Sequence, residues 1–309
     1  MRVLVTGASG FIGRSVLEEL RARGLETIAV SRALRTSVAG ERQCVLSAPG
    51  SAAEVRELLF AVSPDVVMHL AGVSSAPSYG DLYEANVVFA ANLLDASLAM
   101  PRKPRVLVAG SAAEYGPVPA AHLPVREDFT CRPNTAYGAS KLAQTSHALI
   151  AASRGLPVMV ARLFNPIGAG MPKSLALGSF AHQIAQMGPR GGVLETGDLE
   201  VVRDFMDVQA AAKLLVDLSL MPSAGSPEVV NVCTGEGQRL LDLTQRLIDL
   251  AGVPVELRHD VARRGNSEVT AFVGDPSRLQ SLGLSVTSSD IDAVLDGILR
   301  SARAEMGTI

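Results

Sequence analysis

The chain has 309 residues, of which 48% are hydrophobic and 19% charged, a composition that can bury a core for one large domain with an appended lobe. Its formal net charge of -3 provides no basic field for a nucleic-acid backbone. No uncharged apolar stretch approaches the about 18 residues of a membrane-spanning helix, and the three cysteines are far apart, which favours reduced thiols. We therefore expect a cytoplasmic protein without a nucleic-acid partner, a membrane segment or a metal site.

Short apolar runs alternate with longer helical stretches through the first half of the chain. The predicted strands are residues 2–6, 26–30, 43–46, 66–70, 105–109 and 157–162. The predicted helices are residues 11–23, 52–62, 79–99 and 135–152. Continuous apolar strands separated by helices are typical of a parallel sheet that is covered on both faces, so the sequence predicts an α/β fold with a doubly wound parallel sheet.

This alternation stops near residue 165. Glycines, prolines and short segments follow, until a predicted strand at 229–232 and a predicted helix at 241–251. We interpret residues 1–165 as the main domain. Residues 166–309 are predicted to form mainly a smaller C-terminal lobe that binds the substrate, with some segments returning to the main domain.

Three glycines stand where the first predicted strand passes into the first helix. The turn contains Gly7, Ser9, Gly10, Phe11, Ile12 and Gly13, with the glycines in GxxGxxG spacing. Glycine lets backbone N–H groups approach a pyrophosphate closely, and the helix N-terminus adds a partial positive charge. The turn therefore predicts a bound dinucleotide, and residues 1–165 are predicted to be a Rossmann domain.

The end of the second predicted strand indicates which dinucleotide is bound. An acidic residue at this place accepts the ribose hydroxyls of NAD, but this chain has Ser31 and Arg32. A serine donates a hydrogen bond to a 2′-phosphate, and an arginine binds it as a fork of donors, with Arg35 and Arg14 available to assist. We predict NADP(H) as the cofactor. The alternative is that Arg32 is an ordinary solvated surface arginine.

Tyr137 and Lys141 are four residues apart, which puts them on one face of a helix, one turn apart. Because a cation within about 4–6 Å lowers the pKa of a phenol by roughly 1–3 units, Tyr137 is predicted to exchange a proton with a carbonyl or a hydroxyl. Ser111 follows the strand at 105–109, at the sheet edge where ligands bind, and is predicted to bond the substrate oxygen. The alternative for Ser111 is that it caps its own turn.

These residues belong to a wider set of motifs that spans nearly the whole chain. The set comprises Thr6-Gly7-x-x-Gly10-x-x-Gly13, His69-Leu70-Ala71-Gly72, Asn86, Ser111 with Tyr115-Gly116, Tyr137 with Lys141, Arg162-Leu163-Phe164-Asn165 and residues 202–208. With these motifs the chain resembles the extended short-chain dehydrogenase/reductases, in the NAD-dependent epimerase/dehydratase family, that act on nucleotide sugars.

The resemblance implies roles for further residues. Leu70, Ala71, Gly72, Leu163, Tyr137 and Lys141 would contact the cofactor, Lys141 at the nicotinamide ribose. Ser111 and Ala112 would contact the substrate, and Asn165 and Arg203 would hold its diphosphate, whereas Asn86 would be mainly structural. Arg263 and Arg264 are basic residues near the C-terminal end of the sequence. Two interpretations carry equal weight: they bind the nucleotide, or they are ordinary surface charges.

Two positions narrow the reaction within this family. Relatives that dehydrate the sugar carry Asp-Glu where this chain has Ala112-Ala113, and relatives that epimerise carbons 3 and 5 carry a cysteine in place of Ala113. With dehydration and epimerisation disfavoured, the reaction that the resemblance implies is the transfer of a hydride together with one proton. Residues 162–170 are most similar to GDP-4-keto-6-deoxy-D-mannose reductases and related NDP-4-keto-6-deoxyhexose reductases. We predict NADPH-dependent reduction of the 4-keto group of a GDP- or dTDP-4-keto-6-deoxy sugar.

Two other functions remain open at this point. An NAD-dependent nucleotide-sugar 4-epimerase needs the same three residues, although Ser31 and Arg32 argue against it. A non-catalytic NADP-sensing protein is the minor alternative. The chain also departs from the family pattern at Leu46-Ser47, Glu114, His182 and Gln209, where relatives often carry Asp-Leu, valine, arginine and aspartate.

The predicted helices 79–99 and 135–152 carry apolar stripes beyond what one sheet face requires. The resemblance implies that they form a four-helix bundle between two copies of the chain, which predicts a homodimer. Ordinary core burial is the alternative.

Overall fold

The computed structural model describes residues 1–32, 42–48, 50–222, 228–260 and 270–307, whose helices and strands are numbered in chain order. The central sheet contains β1 (Arg2–Thr6), β2 (Glu26–Ser31), β3 (Arg42–Val45), β4 (Val66–His69), β5 (Arg105–Ser111), β6 (Val158–Leu163) and β11 (Val229–Val232). All seven strands are parallel, in the order β11-β6-β5-β4-β1-β2-β3. The predicted strands are thus present, with ends that differ by at most two residues.

This strand order determines where a ligand can bind. The chain leaves β1 toward β2 and β3, then returns to place β4 on the other side of β1. The crevice between β1 and β4, at the carboxyl ends of the strands, is the switch point at which doubly wound sheets bind ligands. Thr6, His69, Ser111 and Leu163 end four adjacent strands at this edge.

Helices cover both faces of the sheet because the strand side chains alternate between two cores. Val3 and Val5 pack against α1 (Phe11–Ala22) and α7 (Val208–Leu220) on one face. Leu4, between them, packs on the opposite face against α2 (Ala52–Val62), α4 (Phe89–Leu98) and α5 (Ala136–Ser153). The fold is therefore the doubly wound α/β arrangement that the sequence predicts.

A further core lies in the C-terminal part of the chain. It joins α6 (Ala176–Ala185), α8 (Leu240–Ala251) and α10 (Ile291–Gly307) through buried side chains such as Leu177, Leu243 and Leu295. Three small sheets accompany it: β7 (Asn165–Ile167) with β10 (Phe205–Asp207), β8 (Gly192–Thr196) with β13 (Val255–His259), and β9 (Val202–Arg203) with β12 (Gln238–Arg239) and β14 (Ala271–Phe272). α9 (Ser277–Ser281) contributes Leu279 to the core of the main sheet.

The predicted single helix at 79–99 is interrupted in the structure. α3 (Tyr79–Tyr83) passes through a π-helical turn, Glu84–Val88, before α4 begins. Asn86 lies in this turn, fully buried, and bonds both backbone groups of Val73 and the hydroxyl of Ser140. The turn thus ties the segment after β4 to α5, which is a structural role as expected for Asn86.

No helix among the described residues is long and apolar enough to cross a membrane.

Candidate active site

The glycine turn is packed so closely that side chains would not fit. Gly7 has a φ of +68°, and a Cβ there would stand 2.6 Å from the backbone nitrogen of Ala71. A Cβ on Gly13 would stand 2.1 Å from the carbonyl oxygen of Gly7. α1 begins at Phe11 with Gly10 as its N-cap, which has no side chain to satisfy the first amides of the helix. The turn therefore fits a pyrophosphate, with Ser9, Phe11 and Ile12 at the same helix start.

The end of β4 lies directly against this turn. His69 is fully buried, its Nδ1 lies 2.8 Å from the hydroxyl oxygen of Thr6, and burial lowers its pKa to about 3, so the imidazole is neutral. The segment Leu70, Ala71 and Gly72 continues across the crevice, where a Cβ on Gly72 would stand 3.9 Å from Lys141 Nζ. The expected cofactor residues directly after β4 thus adjoin both the glycine turn and Lys141.

The residues predicted to select NADP end the second strand. Ser31 is the last residue of β2 and pairs in register with Val45 of β3, and the next residue, Arg32, is exposed. Arg35 lies outside the described residues. The guanidinium of Arg14 donates instead to the carbonyl oxygen of Gly170, at 3.1 Å, so it bridges α1 to the segment after β7.

The structure brings Ser111 and Tyr137 together through a close approach of two elements. Thr135 caps α5 by accepting from the amide of Gly138, and a Cβ on Gly138 would stand 2.4 Å from the carbonyl oxygen of Ala113. The first turn of α5 therefore sits on the turn that follows β5. Ser111 lies close enough to Tyr137 to lower the pKa of the phenol there.

Lys141 lies one helical turn beyond Tyr137. It is 4% exposed, and its Nζ donates to the carbonyl oxygen of Ala109 at 2.5 Å and to Oε1 of Gln144. Burial lowers the pKa of Lys141 to about 8, and the charge of Glu114 opposes that change. The ammonium is thus held at the carboxyl end of β5, the strand that carries Ser111.

The expected effect of Lys141 on Tyr137 is wrong. Burial raises the pKa of Tyr137, the hydrogen bond with Ser111 offsets part of the rise, and Glu114 adds to it. The ammonium of Lys141 donates instead to the carbonyl oxygen of Ala109 and to Gln144. Tyr137 is accordingly a neutral phenol at neutral pH, the form that gives a proton rather than takes one.

The residues expected to bind the substrate follow β5 and β6 or lie on β9. Ala112 is buried in the short 3-10 turn Ala112–Glu114. Asn165 donates through its backbone and its Nδ2 to the carbonyl oxygen of Asp204, at 3.1 and 2.9 Å. Arg203 is half-buried, donates to the carbonyl oxygen of Val202 at 2.8 Å, and burial lowers its pKa although Asp198 opposes this. Leu163, expected at the cofactor, pairs in register with Ser111.

Arg263 and Arg264 lie outside the described residues.

Sequence reasoning missed Asp204, which connects three segments of the substrate side. Its carboxylate is fully buried and accepts from the amide and the hydroxyl of Thr234, at 2.9 and 2.7 Å, from the amide of Gly235 at 3.0 Å, and from that of Gly274 at 3.3 Å. Asp204 thus anchors the loop around its neighbour Arg203. The sequence signal was an acidic residue directly between Arg203 and the apolar pair Phe205 and Met206.

A second missed feature is a buried ion pair behind Ser111. Glu114 is fully buried and its Oε2 lies 2.9 Å from Nε of Arg162 on β6. Arg162 lies over the ring of Tyr115, whose hydroxyl donates to Asn231 at 2.7 Å. The buried carboxylate of Glu114 therefore has an internal partner.

Comparison with known proteins gives a consistent picture. Residues 3–233 match the model of the NAD dependent epimerase/dehydratase family. The chain is 34% identical to GDP-6-deoxy-D-mannose reductase of Pseudomonas aeruginosa, over 90% of this chain and 89% of that protein. It is 31% identical to dTDP-6-deoxy-L-talose 4-dehydrogenase (NAD(P)(+)) of Kitasatospora kifunensis, over 99% and 95%.

Among solved structures, RMD from Pseudomonas aeruginosa complexed with NADPH superimposes with a TM-score of 0.83 at 31% identity, over 98% of both chains. A family model that covers most of the chain, two relatives above 30% identity and the shared fold agree with the motifs at the crevice. The chain belongs to the NAD-dependent epimerase/dehydratase family, the extended short-chain dehydrogenase/reductases.

Proposed function

We propose that this protein uses NADPH to reduce the 4-keto group of an NDP-4-keto-6-deoxyhexose. The observation that carries the proposal is that the first turn of α5, which carries Tyr137, packs on Ala113, so that Tyr137 lies beside Ser111 and the two residues after it, Ala112 and Ala113. A proton donor stands at the site, and no acidic or basic side chain occupies these next two positions. This combination suits the reduction of a carbonyl better than the elimination of water.

The cofactor is held by the turn from Gly7 to Gly13 and by the segment from Leu70 to Gly72. Bound NADPH supplies the hydride. The exposed Arg32 at the end of β2 provides the forked donor for a 2′-phosphate, and Ser31 a second donor. The NADPH bound to the similar Pseudomonas aeruginosa structure supports this choice.

The protein's own groups manage the proton and the developing charge. Ser111 and Tyr137 bond the 4-keto oxygen, and Tyr137 gives that oxygen its proton as negative charge develops there. Lys141 binds the nicotinamide ribose, and its positive charge stabilises the phenolate that proton donation leaves on Tyr137. Removal of water by the buried surroundings strengthens each of these interactions.

In the segments after β6, Arg203 and Asn165 hold the diphosphate. Arg203 suits this role because it is half-buried and offers a fork of donors. The carboxylate of Asp204 fixes the adjoining backbone. The names of the two similar proteins favour a GDP- or a dTDP-linked 6-deoxy sugar as the substrate.

We further propose that the enzyme is a homodimer and acts in the cytoplasm. α4 and α5 pack side by side, and Tyr83, Val88 and Ile150 on this helical layer are 40%, 41% and 56% exposed. A second copy that covers these apolar side chains would form the four-helix bundle. A reducing compartment suits the described cysteines, which are free thiols.

The proposal is tested by incubating the protein with GDP- and dTDP-4-keto-6-deoxyhexoses and either NADPH or NADH. Loss of absorbance at the nicotinamide band with NADPH, together with a 6-deoxyhexose product, is the expected result. An epimerase would instead carry stoichiometric NAD from purification and interconvert two unoxidised nucleotide sugars without consuming NADPH.

A further inference from the structure

Glu114 has an unusual place for a carboxylate. It is fully buried, at the end of the 3-10 turn that follows Ser111. One oxygen, Oε1, accepts from the backbone amide of Ser111 at 2.8 Å, while the other accepts from Nε of Arg162 at 2.9 Å. Burying an ionised carboxylate is costly unless it is paired and hydrogen-bonded. Here each oxygen accepts a hydrogen bond, and one of the two donors is a positively charged guanidinium.

The ion pair has a defined direction. The carboxylate end is packed against β5, because a Cβ on Gly110 would stand 2.7 Å from Oε1 of Glu114. The guanidinium end lies 4.6 Å over the ring of Tyr115 and reaches the carbonyl oxygen of Glu127 at 3.4 Å. The negative end of the pair therefore faces Ser111, and the positive end points toward the interior behind it.

The proposed function places Ser111, Tyr137 and Lys141 at this same end of β5. We infer that Glu114 is a positioning residue of the active site: its carboxylate holds the backbone of Ser111 and supplies a negative charge that keeps the ammonium of Lys141 protonated. The inference deepens the proposed function and rests on it for the identity of the reacting groups.

Two interactions explain how Glu114 acts. The bond to the Ser111 amide closes a capping box in which the hydroxyl of Ser111 accepts from the amide of Ala113 at 3.2 Å, so the serine backbone and side chain are both fixed. The charge of Glu114 raises the pKa of Lys141 against the effect of burial, and that of Tyr137 in the same direction as burial. Both changes favour the protonated forms.

The other titratable groups around Lys141 do not duplicate this effect. His69 on β4 is neutral, since its pKa is about 3. Tyr137 on the same helix is a neutral phenol, and Gln144 carries no charge. Burial raises the pKa of the Cys131 thiol in the preceding loop, which keeps it neutral as well. Arg162 on β6 is paired with Glu114, which raises its pKa despite burial.

The test measures the pKa of Lys141 directly in the protein without cofactor. The chain has four lysines, so selective ¹³C labelling of lysine gives few NMR signals. The signal that is absent from the Lys141→Met spectrum is the signal of Lys141. In Glu114→Gln, which retains an acceptor for the Ser111 amide, the pKa of Lys141 should fall by about one unit. Arg162→Met, which leaves the carboxylate without its counter-charge, should leave that pKa unchanged or raise it.

Glu114→Gln leaves Arg162 unpaired in the interior and risks misfolding, so the double variant Glu114→Gln/Arg162→Met provides a neutral pair of similar shape. It should also show a lowered Lys141 pKa, and the alkaline limb of kcat/KM should move to lower pH with it. The inference would be overturned if the pKa of Lys141 were the same in wild type, in Glu114→Gln and in the double variant. It would also be overturned if Glu114→Gln and Arg162→Met both lowered that pKa. Since the titration needs no turnover, an active Tyr137→Phe enzyme would refute the proposed function without affecting this result.

Discussion

The ammonium of Lys141 donates to the carbonyl oxygen of Ala109 at 2.5 Å, which ties the helix that carries Tyr137 to the strand that carries Ser111. This contact buries a charge at the carboxyl edge of the sheet. Because burial lowers the pKa of Lys141 from 10.5 to about 8, keeping it protonated costs about 3 kcal/mol, at about 1.4 kcal/mol for each pKa unit. The lysine is therefore retained at a cost in stability, as functional groups often are.

Lys141→Met should consequently make the protein more stable and inactive. The unfolded chain binds more protons than the folded chain between pH 8 and pH 10.5, so wild-type stability should rise with pH across this window. The methionine variant should lack that rise, and its free energy of unfolding at pH 7 should be higher by up to about 3 kcal/mol. Urea unfolding at pH 7 and pH 9.5 measures both effects. Lys213→Met, an exposed lysine on α7, is the matched control, and equal pH slopes in all three proteins would contradict the account.

Tyr137→Phe should lower kcat by roughly 10²–10⁴-fold, because the proton donor is lost while the ring remains. The affinity for NADPH, measured by fluorescence titration, should stay within a factor of about 3. Tyr79→Phe removes a hydroxyl from a side chain that is 78% exposed and serves as the control. Near wild-type turnover by Tyr137→Phe would remove the tyrosine as the acid.

Arg32→Ala should reduce the preference for NADPH over NADH by roughly 10–100-fold, the value of one charge-assisted contact to a phosphate. Arg21→Ala, on the exposed side of α1, should leave the preference unchanged. Dissociation constants for both dinucleotides with the two variants provide the comparison. An unchanged ratio in Arg32→Ala would mean that this arginine does not bind the 2′-phosphate.

Asp204→Ala should destabilise the fold by about 3 kcal/mol, because it leaves buried donors of Thr234, Gly235 and Gly274 without an acceptor. The KM for the nucleotide sugar should rise as the loop around Arg203 loosens, with NADPH affinity retained. Arg203→Met should raise the same KM without changing the melting temperature by more than about 2 °C. A normal KM in both variants would separate this loop from substrate binding.

A dimer through α4 and α5 predicts a light-scattering mass of twice the 32.3 kDa of one chain. Ile150→Glu would place a charge within the apolar layer and should shift the protein toward the monomer mass. Leu250→Glu changes an equally apolar residue on α8, 38% exposed, and should remain dimeric. Monomeric wild-type protein at micromolar concentration rules out this assembly.

Local signals were sufficient for much of the fold. Strands such as β1 and β11 are short apolar runs bounded by turns, and the glycine turn is recognisable because Gly7, Gly10 and Gly13 sit between a strand and a helix. The helix interruption at Glu84–Val88 was not predicted, since it depends on the buried bonds of Asn86 to Val73 and Ser140. Tertiary contacts, not local preference, produce that turn.

The same distinction applies to the site. Tyr137 and Lys141 are recognisable by their four-residue spacing, but the charge environment of both depends on Glu114 and Arg162, which are 48 residues apart in the chain. Neither sequence segment contains a signal that predicts the contact between Glu114 and Arg162. The expected lowering of the Tyr137 pKa was wrong for this reason: spacing predicts proximity on a helix, whereas burial and distant partners set the proton affinity.

The most direct measurement of the central claim is the fate of the hydride. The enzyme is given NADPH deuterated at the transferred position of the nicotinamide, with GDP- or dTDP-4-keto-6-deoxyhexose, and the product is examined by mass spectrometry and NMR. We predict one deuterium per product molecule, bonded to carbon 4 of the sugar. A deuterium-free product, or deuterium at another carbon, would contradict the assignment of this protein as a 4-ketoreductase.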